Sequence, residues 1–200
     1  LPINFNSPYQ ALNIQDFWKR WHMTLSRFLT QYIYIPLGGN RLGYARTYTN
    51  ILIVFFISGF WHGAGWTFVI WGLLHGFASV VNRSWQSLHI QMPKWLAWVI
   101  TFLFVHITWV FFRAKTWNDA IHVLKSMFGW NQIQWVDLSE FGKMCVFFPI
   151  AIILVLVTRN SSEKMQTFRP TLRNAWFVGI LLALGIVSIN QVSEFLYFNF

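Results

Sequence analysis

Ile51 to Val81, ILIVFFISGFWHGAGWTFVIWGLLHGFASVV, is an apolar run of 31 residues without Asp, Glu, Lys or Arg, yet it contains His62 and His75. An ionisable side chain at membrane depth costs at least ~2 kcal/mol unless it faces the protein interior or a wet cavity, so an imidazole there marks a candidate functional site. His62 stands in Gly59-Phe60-Trp61-His62-Gly63-Ala64-Gly65, where three glycines loosen the helix around it. At about 20 residues per crossing, the run is too long for one upright span. It is either a steeply tilted helix or two shorter pieces meeting near Gly63 to Gly65.

The composition carries the same message. Hydrophobic residues make up 56% of the chain and charged residues 10%, against about 25% charged in an ordinary soluble domain. The 13 Trp and 21 Phe come in long runs rather than core-sized stripes. Trp95 to Phe112, Cys145 to Val157 and Ala175 to Ile189 are the further apolar tracts. The last two are short for a bilayer: they tilt inside the protein, begin in neighbouring polar turns, or fail to cross. The reading is an all-α, polytopic integral membrane protein. Basic residues favour a cytoplasmic Thr158 to Asn174 (Arg159, Lys164, Arg169, Arg173), with the Lys/Arg-free tail Glu194 to Phe200 outside.

A net charge of +9 raises the question of nucleic acid. The basic residues are spread through connecting loops instead of lining one face, which excludes a nucleic-acid partner and points to membrane lipid or an anionic polymer. Cys145 is the lone cysteine, so neither a disulfide framework nor a multi-cysteine metal site is available within the chain. Leu1-Pro2-Ile3-Asn4-Phe5-Asn6-Ser7-Pro8 reads like the middle of a protein. The expectation is the C-terminal portion of a single domain over 1–200, with 1–50 interfacial and 51–200 built of transmembrane and connecting helices.

In the interfacial part Asn13 suits an N-cap and Asp16 a first helical turn. Phe17, Trp18, Trp21, Leu25, Phe28, Leu29 and Tyr32 recur at helical spacing, with Lys19, Arg20, Thr24, Arg27 and Gln31 largely opposite. This predicts one amphipathic helix along the membrane surface, ended by Pro36 and the Gly38-Gly39-Asn40 cluster. Leu37 to Tyr48 then forms a basic loop with Arg41 and Arg46, whose charges are read as solvated beside lipid.

A sheltered neutral imidazole is suited to take a proton from a hydroxyl nucleophile, which makes His62 a candidate general base. A Ser-His-Asp triad is disfavoured, because no acid lies between Asp16 and Asp119. The apolar surroundings of Cys145 argue against a thiol nucleophile. On one continuous helix His75 would lie ~20 Å from His62 and on another face, disfavouring a shared metal or haem. His22, three residues after Lys19 and four before Ser26 on the predicted helix, is an interfacial histidine among aromatics. His106 is expected to bond a neighbouring helix, and His89 and His122 carry no signal. A proton-coupled transporter or channel subunit using intramembrane histidines is the competing class.

The segment Asp16-Phe17-Trp18-Lys19-Arg20-Trp21-His22-Met23-Thr24-Leu25-Ser26-Arg27-Phe28, continued by Tyr32-Ile33-Tyr34-Ile35-Pro36-Leu37-Gly38-Gly39-Asn40-Arg41 and Gly59-Phe60-Trp61-His62-Gly63-Ala64, closely resembles the membrane-bound O-acyltransferase family. It is most similar to the bacterial branch containing alginate O-acetylases, with D-alanine-transferring teichoic-acid proteins as relatives. Family-like sequence runs from Leu1 to about Gly76 and returns in Phe195-Leu196-Tyr197-Phe198-Asn199-Phe200. The resemblance implies a multi-helix bundle with tilted, short and interfacial helices around a central tunnel. It implies His62, of the Trp-His-Gly motif, and His22, of the upstream Trp-His motif, as catalytic residues. It also implies transfer of an acyl group from a cytoplasmic thioester, acetyl-CoA or another, to hydroxyls of an extracellular polysaccharide such as alginate. No bound cofactor or metal is expected; a bacterial inner-membrane location and an extracytoplasmic acetyl-transfer partner are. The chain departs from the family at Thr30-Gln31, where relatives commonly carry Arg-Asp, so no role of that acid transfers.

Overall fold

The computed structural model describes residues 2–130 and 138–189, and all regular elements among them are helical. The tail Glu194 to Phe200 and its aromatic resemblance lie outside the described residues. The chain divides into two compact units, residues 1–158 and 159–200.

The first unit is organised by a pair of long helices, α3 (Gly43–His62) and α4 (Trp66–Ser87), so Ile51 to Val81 takes the second of its two options. The break falls at Gly63–Gly65 and reverses the chain. The two helices then run antiparallel at backbone contact, because facing positions carry glycine. A Cβ on Gly59 would stand 2.5 Å from the Phe68 carbonyl oxygen, and one on Gly72 would strike the carbonyl oxygen of Phe55. One turn further along α4, a Cβ on Gly76 would meet the Phe55 Cβ at 3.0 Å. α3 also begins earlier than the basic loop allows: Arg46 lies in its first turns, and both Arg41 and Arg46 are exposed. The shortened loop is pinned from inside by the buried Asn50, whose amide donates to the carbonyls of Leu37 and Gly39 at 3.1 Å each.

α5 (Lys94–Arg113) packs on α4 and coincides with the tract Trp95 to Phe112. Among the described residues it is the one helix long and apolar enough to cross a membrane by length and composition, with a mean hydropathy of 1.9. α3 and α4 have the length, but their polar residues keep them below the same threshold. No expectation covered α6 (Trp117–Met127), although its signal was present: Thr116 and Asp119 form a reciprocal capping box. α7 (Leu138–Leu156) starts upstream of the tract Cys145 to Val157, in polar sequence, and exposes Cys145. In the second unit, α8 (Ser161–Gln166) precedes α9 (Leu172–Ser188), which likewise begins before its apolar tract. α7 and α9 leave large apolar side chains such as Phe147 and Leu182 exposed, as suits helices bathed in lipid or covered by further protein.

The amphipathic helix is the element that departs most from expectation. Asn13 caps α1 (Ile14–Arg20) as foreseen, accepting from the Asp16 backbone N–H at 2.8 Å. The helix then stops: Trp21 turns extended and His22 adopts left-handed backbone angles, φ 44° and ψ 52°. α2 (Met23–Leu29) starts anew and passes into a π-helical turn at Thr30–Tyr34. The segment before α1 stabilises the break by supplying the hydrogen bonds a continuous helix would have made. Asn6 N–H donates to the Arg20 carbonyl, Met23 N–H to the Asn4 carbonyl, and the Asn4 side chain accepts from both the N–H and hydroxyl of Thr24.

The core joins these parts. Ile14, Phe17 and Trp18 of α1, Trp71 of α4, Val105 and Phe111 of α5 and Ala120 of α6 form one buried cluster. Overpacking a tight contact costs about 1–3 kcal/mol. Gly72→Ala is therefore expected to destabilise the protein by about that much, read as a lowered Tm in detergent. Gly179→Ala in α9, where a Cβ meets nothing within 4 Å, should leave Tm unchanged or slightly raised.

Candidate active site

Both histidines singled out in the sequence stand at helix ends, and the fold brings them together. His62 is the last residue of α3, with Gly63 as its C-cap. His22 immediately precedes α2. Their ring centroids are 6.5 Å apart, so the imidazoles are neighbours without a mutual hydrogen bond. The helix break is what allows this. On an unbroken helix the His22 ring would be beside Lys19 and Ser26; in the structure it faces Phe5, Trp61 and His62.

His62 is 6% exposed and held by rings. Trp61, Trp71 and Phe112 meet it edge-on at centroid distances of 4.8, 5.2 and 5.1 Å. Phe112 reaches it from the end of α5, a contact that hydropathy alone could not reveal because most of that tract is equally apolar. The His22 Nδ1 is buried without a hydrogen-bond partner, and burial holds this imidazole below the ordinary histidine pKa of 6.5. A buried, unpaired ring nitrogen is a rare feature that leaves hydrogen-bonding capacity unused beside the second histidine.

His75 has a different role, and the ~20 Å separation from His62 does not apply because the chain reverses between them. Trp71 touches both rings, with centroids at 5.2 Å from His62 and 4.9 Å from His75. The Trp18 indole N–H donates to His75 Nδ1 at 3.2 Å, and His75 Nε2 lies 3.0 Å from the Thr108 hydroxyl. The donor at Nδ1 makes that nitrogen the acceptor, so Nε2 carries the proton and donates to Thr108. Thr108 in turn donates to the Val105 carbonyl at 2.8 Å. His75 is thus a fully bonded bridge among α1, α4 and α5. His106 also departs from expectation: its Nδ1 lies 2.7 Å from the Phe102 carbonyl of its own helix rather than bonding a neighbour.

A cavity of about 390 Å³, bordered by Trp18, Ser26, Tyr34, Ser58 and Arg83, adjoins the aromatic cluster through Trp18 but has neither His22 nor His62 in its wall. No three His, Cys, Asp or Glu side chains converge in metal-binding fashion among the described residues. The sequence reading missed the supporting cast of this site. Asn4 and Asn6, which stitch the break at His22, and Trp71, which backs His62, act through contacts between distant segments.

Comparison with known proteins identifies the family. The sequence model of MBOAT, the membrane-bound O-acyltransferase family, matches residues 1–117. Along 100% of its length the chain is 47% identical to the peptidoglycan O-acetyltransferase of Helicobacter pylori, covering 43% of that protein. It is 42% identical to a protein named probable alginate O-acetylase in Azotobacter vinelandii, over 68% of this chain and 28% of the relative. To the teichoic acid D-alanyltransferase of Bacillus subtilis it is 31% identical, over 58% of this chain and 33% of the relative. The chain spans less than half the length of these curated relatives. With the family model matching residues 1–117 and a relative 47% identical along its whole length, the chain belongs to the membrane-bound O-acyltransferase family.

Proposed function

We propose that the chain carries the acyl-transfer centre of an O-acyltransferase that moves acetyl from a cytoplasmic thioester, such as acetyl-CoA, to hydroxyls of an extracytoplasmic polysaccharide. The observation that carries this reading is the juxtaposition of His22 and His62 at 6.5 Å. The identity to a peptidoglycan O-acetyltransferase, which extends over the whole chain, makes peptidoglycan the first acceptor to test. Alginate follows, on the shorter match. The proposed setting is a polytopic bundle around a tunnel in the bacterial inner membrane, with an extracytoplasmic partner completing delivery.

In this reading the acceptor hydroxyl attacks the thioester carbonyl while His62 takes its proton as general base. The carbonyl oxygen gains negative charge as the new C–O bond forms, and His22 bonds a reactant or stabilises that charge. The C–S bond then breaks, and the departing thiolate receives the proton held by His62. The ring walls of Trp61, Trp71 and Phe112 exclude water, which would otherwise hydrolyse the thioester. The transporter reading loses support from His75, which spends both ring nitrogens on structural bonds and is not poised as a mobile relay.

The test uses full-length protein in proteoliposomes with labelled acetyl thioester and peptidoglycan or alginate fragments. His62→Ala is expected to lower turnover by ~10²- to 10⁴-fold with normal insertion; unchanged transfer would reject the assignment. Asparagine accepts the left-handed backbone of residue 22, so His22→Asn removes the imidazole with little added strain. It should cost ~10²-fold or more in turnover, and unaltered turnover together with unaltered donor binding would count against a role for His22. Since burial lowers its pKa from the ordinary 6.5, His22 is neutral at neutral pH, and an acid limb set by its protonation has its midpoint below 6.5. A His22-dependent limb with its midpoint above 6.5 contradicts the proposed neutral form.

A further inference from the structure

α4 and α5 enclose a second groove, which the proposed acyl transfer does not use. Its volume is about 540 Å³, within the ~300–1,000 Å³ typical of ligand sites. Phe77, Val81, Ala97, Ile100 and Phe104 give it apolar walls, Lys94 lies at one end, and its lining contains no acid. The Lys94 ammonium is exposed and forms no ion pair among the described residues. Asn82 belongs to the lining, and its amide nitrogen is buried without a partner. Leaving such a donor unpaired is costly, so an acceptor belongs beside it.

The surroundings set the depth of this groove. Trp85, Trp95 and Trp98 gather at the Lys94 end, the indoles of Trp85 and Trp98 donating to the carbonyls of Ile90 and Tyr9 and Trp95 standing largely exposed. Tryptophans and a lysine together mark the level of lipid head groups. From Lys94 the groove follows α5 for about 15 Å to Phe104, the depth of one leaflet. Asn82 lies one to two turns, about 8 Å, inside the end of α4 at Ser87. That is the layer beneath the phosphates, where phospholipid ester carbonyls reside.

We propose that the groove holds one anionic phospholipid of the surrounding membrane. An acyl chain lies along Phe77, Ala97 and Phe104, the phosphate faces Lys94, and the Asn82 amide donates to an ester carbonyl. The site stands independently of the acyl-transfer reading, because its readout is bound lipid.

The experiment is native mass spectrometry of the full-length protein released from bilayers of equal phosphatidylglycerol and phosphatidylcholine with the same acyl chains. One phosphatidylglycerol should be retained in about tenfold preference. Lys94→Glu, a change at an exposed position, should abolish the preference by turning attraction into repulsion. Asn82→Leu should weaken retention of both lipids, with Tm reporting that the variant is folded. Equal retention of the two lipids, or a preference that survives both substitutions, overturns the proposal. So does an Ala97→Cys variant that cross-links to another part of the full-length chain, which would show protein in the groove.

Discussion

The two nitrogens of His75 hold the arrangement on which the candidate site depends. One accepts from Trp18 and the other donates to Thr108, so α1, α4 and α5 meet at a single buried ring. Such a network is stabilising only when every member is satisfied, and it loses much more than one bond when a member is removed. Docked by Trp18, α1 ends where His22 can turn toward His62. The glycine contact between α3 and α4 supplies the other half of the geometry: it brings Trp71 close enough to α3 to back His62 while still touching His75.

Much of this was legible in the sequence, for physical reasons that differ from residue to residue. The all-helical fold followed from long apolar runs, the break at Gly63–Gly65 from three glycines in seven residues, and the cap at Asn13 from side-chain chemistry that operates within one turn. His62 stood out because an imidazole is conspicuous in an apolar run without Asp, Glu, Lys or Arg. α6 escaped notice although its capping box is local, because the search followed hydropathy and that helix is amphipathic rather than apolar.

What remained hidden was non-local. The periodicity of Phe17 through Tyr32 fits a continuous helix, and nothing within that stretch announces a break at His22. The cause lies upstream, where Asn4 and Asn6 take over the hydrogen bonds lost at Trp21 and His22. Likewise, the identity of His75 as a bridge depends on Trp18, 57 positions away. A long separation of His75 from His62 follows only on one continuous helix; in the structure the chain turns back between them.

The placement of both candidate histidines at helix termini has an electrostatic consequence. α3, at 20 residues, directs the negative pole of its aligned peptide dipoles toward His62, while α2 begins with its positive pole beside His22. The surroundings of the two rings are therefore polarised before any reactant enters. In the acyl-transfer reading, that polarity matches the charges of the reaction: a cation forming on the ring that takes the proton, and an oxyanion forming near the other.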